Sequence, residues 1–178
     1  MGTSKQEPRL ETLETERLTL RPLTDEDAGF ILELLNDPSF IRNIGDRKVR
    51  TLQDARTYIT DGPVASYARN GFGLYLVELT ESGAAMGMCG LIRRNTLNDV
   101  DIGYAFLPMY WSKGYAFEAA LAMKQHARDV LGLRRMVAIV DPQNLSSIRL
   151  LEKLGMKFER MVKLSDDDID LELFSIDL

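Results

Sequence analysis

Residues 101–116 constrain this chain more than any other stretch. They read Asp-Ile-Gly-Tyr-Ala-Phe-Leu-Pro-Met-Tyr-Trp-Ser-Lys-Gly-Tyr-Ala. The first half predicts a buried strand that stops at Pro108. The second half predicts a tight turn, residues 111–116, opening directly into a helix. Gly114 has no Cβ, so a ligand can approach the backbone closely there. The first amides of a helix have no intrahelical partners and sit at the positive end of its dipole. Strand, glycine turn and helix N-terminus together make an anion site, most often for phosphate. A plain strand-to-helix connection reads the same way locally, so the rest of the chain must decide.

The 178 residues fit one domain with a sizeable core. A formal net charge of −5 argues against broad nucleic-acid binding, which wants a basic face. Any polyanionic ligand must then be held locally, by amides and a few cations. The single cysteine, Cys89, sits inside the apolar run Met-Gly-Met-Cys-Gly-Leu-Ile, which points to core packing rather than nucleophilic chemistry. No apolar run approaches the ~20 residues of a membrane span, so no membrane partner is expected. Residues 1–8 are polar and end in Pro8, with no apolar signal-peptide core, and read as a loose tail. A cytoplasmic location is the expectation, in keeping with a lone cysteine.

Residues 17–22 alternate and stop at Pro22, predicting a short strand. Thr24 is an N-cap candidate followed by three acids, and Phe30, Ile31, Leu34 and Leu35 recur at helical spacing. Residues 37–50 read as a loop or a broken short helix. A second helix starts at Thr51 and is expected to end by Gly62-Pro63. From Phe72 the period becomes two. Strands over 72–79, 85–93 and 100–107, joined by short turns, predict an antiparallel meander. The helix after Gly114 lines up Ala116, Ala119, Ala120, Met123, Ala127 and Val130 on one face and ends at Gly132. A strand at 135–140 then implies a parallel crossover. A helix over about 145–154 and a hairpin from 156–164 and 169–176 complete the chain. The fold class is α+β: a mixed, mostly antiparallel sheet of about seven strands with about four helices.

At this point the residues resemble a known family. Residues 111–116, Trp-Ser-Lys-Gly-Tyr-Ala, are similar to the pyrophosphate loop of GCN5-related N-acetyltransferases (GNAT), with Trp111 in the usual Gln/Arg slot. That replacement resembles the RimJ/RimL branch, which acetylates ribosomal-protein N-termini. Residues 15–22 resemble the branch's first strand. Ile102, Gly103 and Tyr104 with Pro108, Tyr110 and Trp111 resemble its fourth, and Asn144, Ser147 and residues 152–155 its second cofactor segment. The match runs from residue 15 to 178, leaving residues 1–14 as a flexible tail. The resemblance implies acetyl-CoA as co-substrate, held between splayed parallel strands at 100–107 and 135–140. It implies pantetheine contacts at Ala105, Phe106 and Leu107. It also implies a pyrophosphate cradle from Ser112, Lys113, Gly114, Tyr115, Ala116 and Phe117, with further cofactor contacts from Asn144 and Ser147. Ser112 departs from the glycine common in this branch, but a small residue still lets the backbone close around phosphate.

The implied reaction is direct attack of an amine on the thioester. It needs a neutral amine, a stabilised oxyanion and a proton for the leaving thiolate. An α-amine with pKa near ~7.8 is neutral roughly once in seven at pH 7, and a lysine near ~10.4 roughly once in 2,500. An α-amine therefore needs little help. Asp101 is the first candidate base, two residues before Gly103 and expected on the same face; Asp99 is the weaker alternative. His126 lies in mid-helix and reads as packing or surface. The tyrosine that protonates the thiolate in many family members falls here at Leu151, which cannot donate. Ser147 is the substitute, able to hydrogen-bond the sulfur, although a first-turn serine can also serve its own backbone. Asn144 reads equally as an N-cap. Tyr104 is expected to pack against acetyl or substrate. The acidic run at 166–168 lacks the spacing of a calcium loop and no metal is expected; it reads as a hairpin tip, or as a negative rim to the acceptor site. The acceptor is a ribosomal-protein N-terminus or another protein α-amine, or else a small amine such as an antibiotic, polyamine or amino acid. A non-catalytic acyl-CoA-binding module is the remaining reading. A monomer or homodimer is expected.

Overall fold

The computed structural model describes residues 10–178. Residues 1–9 of the expected tail lie outside that range; within it, β1 (Leu13–Glu14) pairs antiparallel with β2 (Leu18–Pro22). One eight-stranded sheet organises everything else. Its other strands are β3 (Leu74–Leu79), β4 (Ala85–Ile92), β5 (Asp101–Phe106), β6 (Arg135–Val140), β7 (Lys157–Val162) and β8 (Leu171–Asp177). The spatial order is β1-β2-β3-β4-β5-β6-β8-β7, antiparallel everywhere except at the β5–β6 junction.

Among the described residues six α-helices cover the two faces: α1 (Ala28–Asn36), α2 (Pro38–Asn43), α3 (Leu52–Ile59), α4 (Ala65–Asn70), α5 (Tyr115–Asp129) and α6 (Leu145–Lys153). On one face α5 and α6 pack on the sheet through Ala119, Ala120, Met123 and Leu151, against Leu18, Leu20, Val77, Ile102 and Phe174. The paired alanines let α5 lie close to the strands. On the other face α1 and α3 seal Leu76, Met88 and Leu107 under Ile31, Leu35 and Ile59. Cys89 is buried within the first of these layers, and burial pushes its thiol up to about 12, as a core residue requires.

Two elements, the helix from Thr51 and β1, differ from the sequence expectation. The helix from Thr51 does not end at Gly62-Pro63. A π-turn over Thr60–Val64 takes in Pro63, and the chain continues as α4 until Gly71 closes it in the left-handed region at φ 78°. Proline lacks the N–H of a regular turn, and a widened turn leaves room for its ring. Residues 37–50 do contain a short helix, α2, started by Asp37, whose side chain accepts from the Ser39 amide. β1 is too short to carry an alternation that could be read.

Candidate active site

The parallel pair is where the sheet gives way. β5 and β6 are joined through Asp101 and Val137, with the Val137 amide donating to Val100 O at 2.9 Å. Beyond that bridge the two strands part, while each keeps its antiparallel neighbour, β4 and β8 respectively. Groups along the inner edges of the gap are left wanting partners. The direction of each backbone group follows from the antiparallel ladder, in which alternate residues turn both polar groups to the same side. The Leu107 amide donates to Met86 O at 3.0 Å, so Leu107 and Ala105 face β4. Tyr104 and Phe106 face the gap. Of the three residues expected to offer pantetheine contacts, Ala105 therefore faces β4, and Leu107 gives its amide to β4 while its carbonyl accepts from the Tyr110 amide at 3.0 Å. Tyr104, expected to pack, turns its backbone to the gap beside Phe106.

At the mouth of the gap the chain makes the expected glycine turn. Trp111 anchors it: the indole Nε1 donates to Phe106 O at 2.8 Å, tying the turn to the end of β5. Ser112 and Gly114 both adopt left-handed backbone, at φ 59° and 82°. That conformation costs a non-glycine residue roughly 1–2 kcal/mol, so Ser112 is held there by its surroundings. The first closed turn of α5 is the Glu118 amide on Gly114 O at 3.0 Å. The amides of Tyr115, Ala116 and Phe117 precede it and have no intrahelical acceptor. The Lys113 ammonium donates to Met109 O at 3.1 Å. Lys153 of α6 sits 4.1 Å from the centroid of the Phe117 ring.

The two sheet faces carry different chemistry. Tyr104 and Ile102 point toward α5 and α6; Asp101, Gly103 and Ala105 point toward the α1–α4 side. On the α6 side the Tyr104 hydroxyl is 2.7 Å from Ser147 Oγ. Burial raises the Tyr104 phenol above its ordinary value, so it stays protonated and able to donate. Asn144 caps α6, its Oδ1 accepting from the Ser147 amide at 3.2 Å, which fixes where Ser147 enters the helix. Leu151 is buried in the core.

On the opposite face Asp101 is almost inaccessible, at 1% exposure. Its Oδ2 accepts from Arg94 Nε at 2.7 Å, and its Oδ1 has no hydrogen-bond partner. Burial pushes the carboxyl up to about 6, against the pull of the adjacent Arg94 guanidinium and of the nearby Ile139 amide, which stands outside hydrogen-bond geometry. Asp99 is taken up by Arg135 at 3.1 Å, beneath the closed end of the parallel pair. His126 lies buried along α5, away from the turn, and burial lowers its pKa. The acidic residues 166–168 are exposed in the β7–β8 connection.

A gap in a mixed sheet with a helix opening on a glycine turn at its mouth is the architecture of an acyl-CoA-dependent acyltransferase. Comparison with known proteins makes the class specific. A family model described as an acetyltransferase (GNAT) domain matches residues 17–157. The uncharacterized N-acetyltransferase p20 of Bacillus licheniformis is 31% identical over 175 residues, covering 94% of this chain and 96% of its own. An acetyltransferase structure from Agrobacterium tumefaciens str. C58 superposes with a TM-score of 0.81 at 26% identity, covering 94% of both chains. The ribosomal L7/L12 α-N-protein acetyltransferase RimL, solved with coenzyme A, gives 0.82 at 16% identity over 94% of this chain and 98% of its own, a likeness of fold. The chain belongs to the GNAT family and is an acetyl-CoA-dependent N-acetyltransferase. Among the described residues no helix is long and apolar enough to cross a membrane.

Proposed function

We propose that this enzyme acetylates the α-amine of a protein N-terminus, of which a ribosomal protein is the leading example. The observation that carries the reading is Asp101, a carboxylate 1% exposed, with Oδ1 outside hydrogen-bond geometry, the Ile139 amide nearby, and a pKa of about 6. A base of that strength is ionised at neutral pH and can take a proton from an amine near ~7.8, directly or through one water. It is poorly matched to a lysine near ~10.4, whose neutral fraction is smaller by more than two decades. RimL, which shares the fold, acts on the N-terminus of a ribosomal protein, and that is consistent with the same acceptor class here.

In this reading the thioester lies in the gap between β5 and β6. The backbone of Tyr104 and the amide of Phe106 pair with the pantetheine arm, and the amides at 112–117 cradle the pyrophosphate, with Lys113 adding charge. The acceptor enters from the α1–α4 side, where Asp101 receives its proton. The leaving sulfur departs toward α6, where Ser147 donates one hydrogen bond. Tyr104, 2.7 Å away, orients that hydroxyl and stays protonated throughout. A lone thiol such as Cys89 suits a cytoplasmic setting for this reaction. Incubation with labelled acetyl-CoA and either ribosomes or a panel of small amines tests the acceptor. Label in a protein N-terminus is the expected result; label confined to small amines overturns it.

A further inference from the structure

We propose that Arg17 and Glu118 form a brace that sets both the shape and the charge of the anion turn, making Arg17 a positioning residue for acetyl-CoA. The inference rests on reading residues 112–117 as the pyrophosphate turn. Arg17 lies in the β1–β2 connection, far away in sequence, yet its guanidinium spans the turn on both sides of Gly114. Nη1 donates to Lys113 O at 3.0 Å. Nε donates to Glu118 Oε2 at 2.7 Å, and Nη2 lies 2.7 Å from the same oxygen. The guanidinium carbon stands 4.4 Å from the centroid of the Tyr115 ring. A Cβ at Gly114 would come within 3.3 Å of Nη2. The Lys113 carbonyl lies between the two left-handed residues, Ser112 and Gly114, so fixing that one peptide fixes the crook of the turn.

The charge argument is independent of the shape argument. Glu118 is in the first turn of α5, where a free carboxylate would repel a diphosphate arriving at the same helix end. It is turned away and saturated instead. Oε1 accepts from the Thr15 hydroxyl at 2.6 Å and from the Arg17 amide at 2.9 Å; Oε2 takes the guanidinium. Burial works against the charge, yet these donors hold the Glu118 carboxyl below the usual glutamate range. The Arg17 charge is thus committed to Glu118, which makes Arg17 a screen and a prop rather than a phosphate ligand.

The test compares acetyl-CoA with S-acetylpantetheine, which has the thioester arm and no phosphate. Arg17→Gln is expected to raise the acetyl-CoA Kd roughly thirtyfold while kcat at saturation and kcat/KM for S-acetylpantetheine hold. The double variant Arg17→Gln, Glu118→Gln is expected to bind better than the single, losing only roughly three- to tenfold, because the exposed anion is gone. Arg17→Lys, which keeps charge but loses the fork, falls between wild type and Arg17→Gln and serves if the latter does not fold. Wild-type acetyl-CoA affinity in Arg17→Gln, with affinity lost in Gly114→Val, overturns the brace and leaves the turn assignment standing. Affinity kept in both, with no preference for acetyl-CoA over S-acetylpantetheine, overturns the turn assignment itself. Equal losses for both thioesters, or a double variant as weak as the single or weaker, reduce Arg17 to a structural residue and also overturn the proposal.

Discussion

Asp101 is removed from water with one carboxylate oxygen on Arg94 and the other without a hydrogen bond, the Ile139 amide being nearby. Its folded pKa of about 6 lies above the unfolded value near ~3.9, so the folded state binds its proton more tightly. The stability it contributes is fully present below about 4 and lost as pH rises through about 6. Activity should run the other way, since only the carboxylate can act as base. We expect a rate limb near 6, distinct from the amine's own limb near ~7.8. Asp101→Asn should erase the lower limb, slow turnover by roughly 10²–10⁴, and flatten the Tm difference between pH 5 and pH 8. A pH–rate profile in which Asp101→Asn keeps the limb removes Asp101 from the chemistry. Ser147 carries a smaller load. A charge-assisted hydrogen bond to a developing thiolate is worth about 1.5–3 kcal/mol, or roughly one to two decades in rate. Ser147→Ala should therefore lower kcat ten- to a hundredfold, by roughly that same interaction, with acetyl-CoA affinity little changed. Single-turnover rates at saturating acetyl-CoA equal to wild type would clear Ser147 of any role.

The glycine turn ahead of α5 is the element on which cofactor affinity should depend. Gly114→Val puts a branched side chain at φ 82°, where it is strained, and into the space of Arg17 Nη2. We expect acetyl-CoA binding to weaken at least roughly tenfold, with a folded protein by circular dichroism. Calorimetry that finds unchanged affinity in folded protein would sink the pyrophosphate assignment. The turn was legible in the sequence because glycine, small residues and a following apolar period are local signals. So were Ser147 and its cap Asn144, which are three residues apart on one helix. What stayed hidden depends on partners distant in the chain. Arg17 and Glu118 meet across the fold, and nothing near either residue announces the other. The hydroxyl contact between Tyr104 and Ser147 joins β5 to α6 in the same way. That Phe106 and Tyr104 face the gap, and Ala105 faces β4, rests on which side of β5 pairs with β4, a register that periodicity alone does not fix. Pro63 misled because proline ends regular helices far more often than it sits in a π-turn.

For the whole molecule the telling feature is how little holds β5 to β6. Five strands lie on one side of that junction and three on the other, and the Asp101–Val137 bridge joins them. A ligand that binds only the folded state should raise stability by about 2.7 kcal/mol at a hundred times its Kd, or roughly 5–10 °C in Tm for a domain of this size. Thermal scans with acetyl-CoA, and with free adenosine diphosphate as control, check this; a shift no larger than the control's contradicts it. The weak seam also bears on how the molecule opens. The strands β6, β8 and β7 make one small antiparallel unit with its own pairing, and such units often unfold as a group ahead of the rest. Native-state hydrogen exchange without ligand should find one slow-opening block in β2–β5 and a second, earlier one in β6–β8, merging when acetyl-CoA is added. Bound co-substrate would then act as the missing rung of the sheet. Every catalytic cycle would begin by closing that seam and end, on release of coenzyme A, by reopening it above the core that both halves share under α5 and α6.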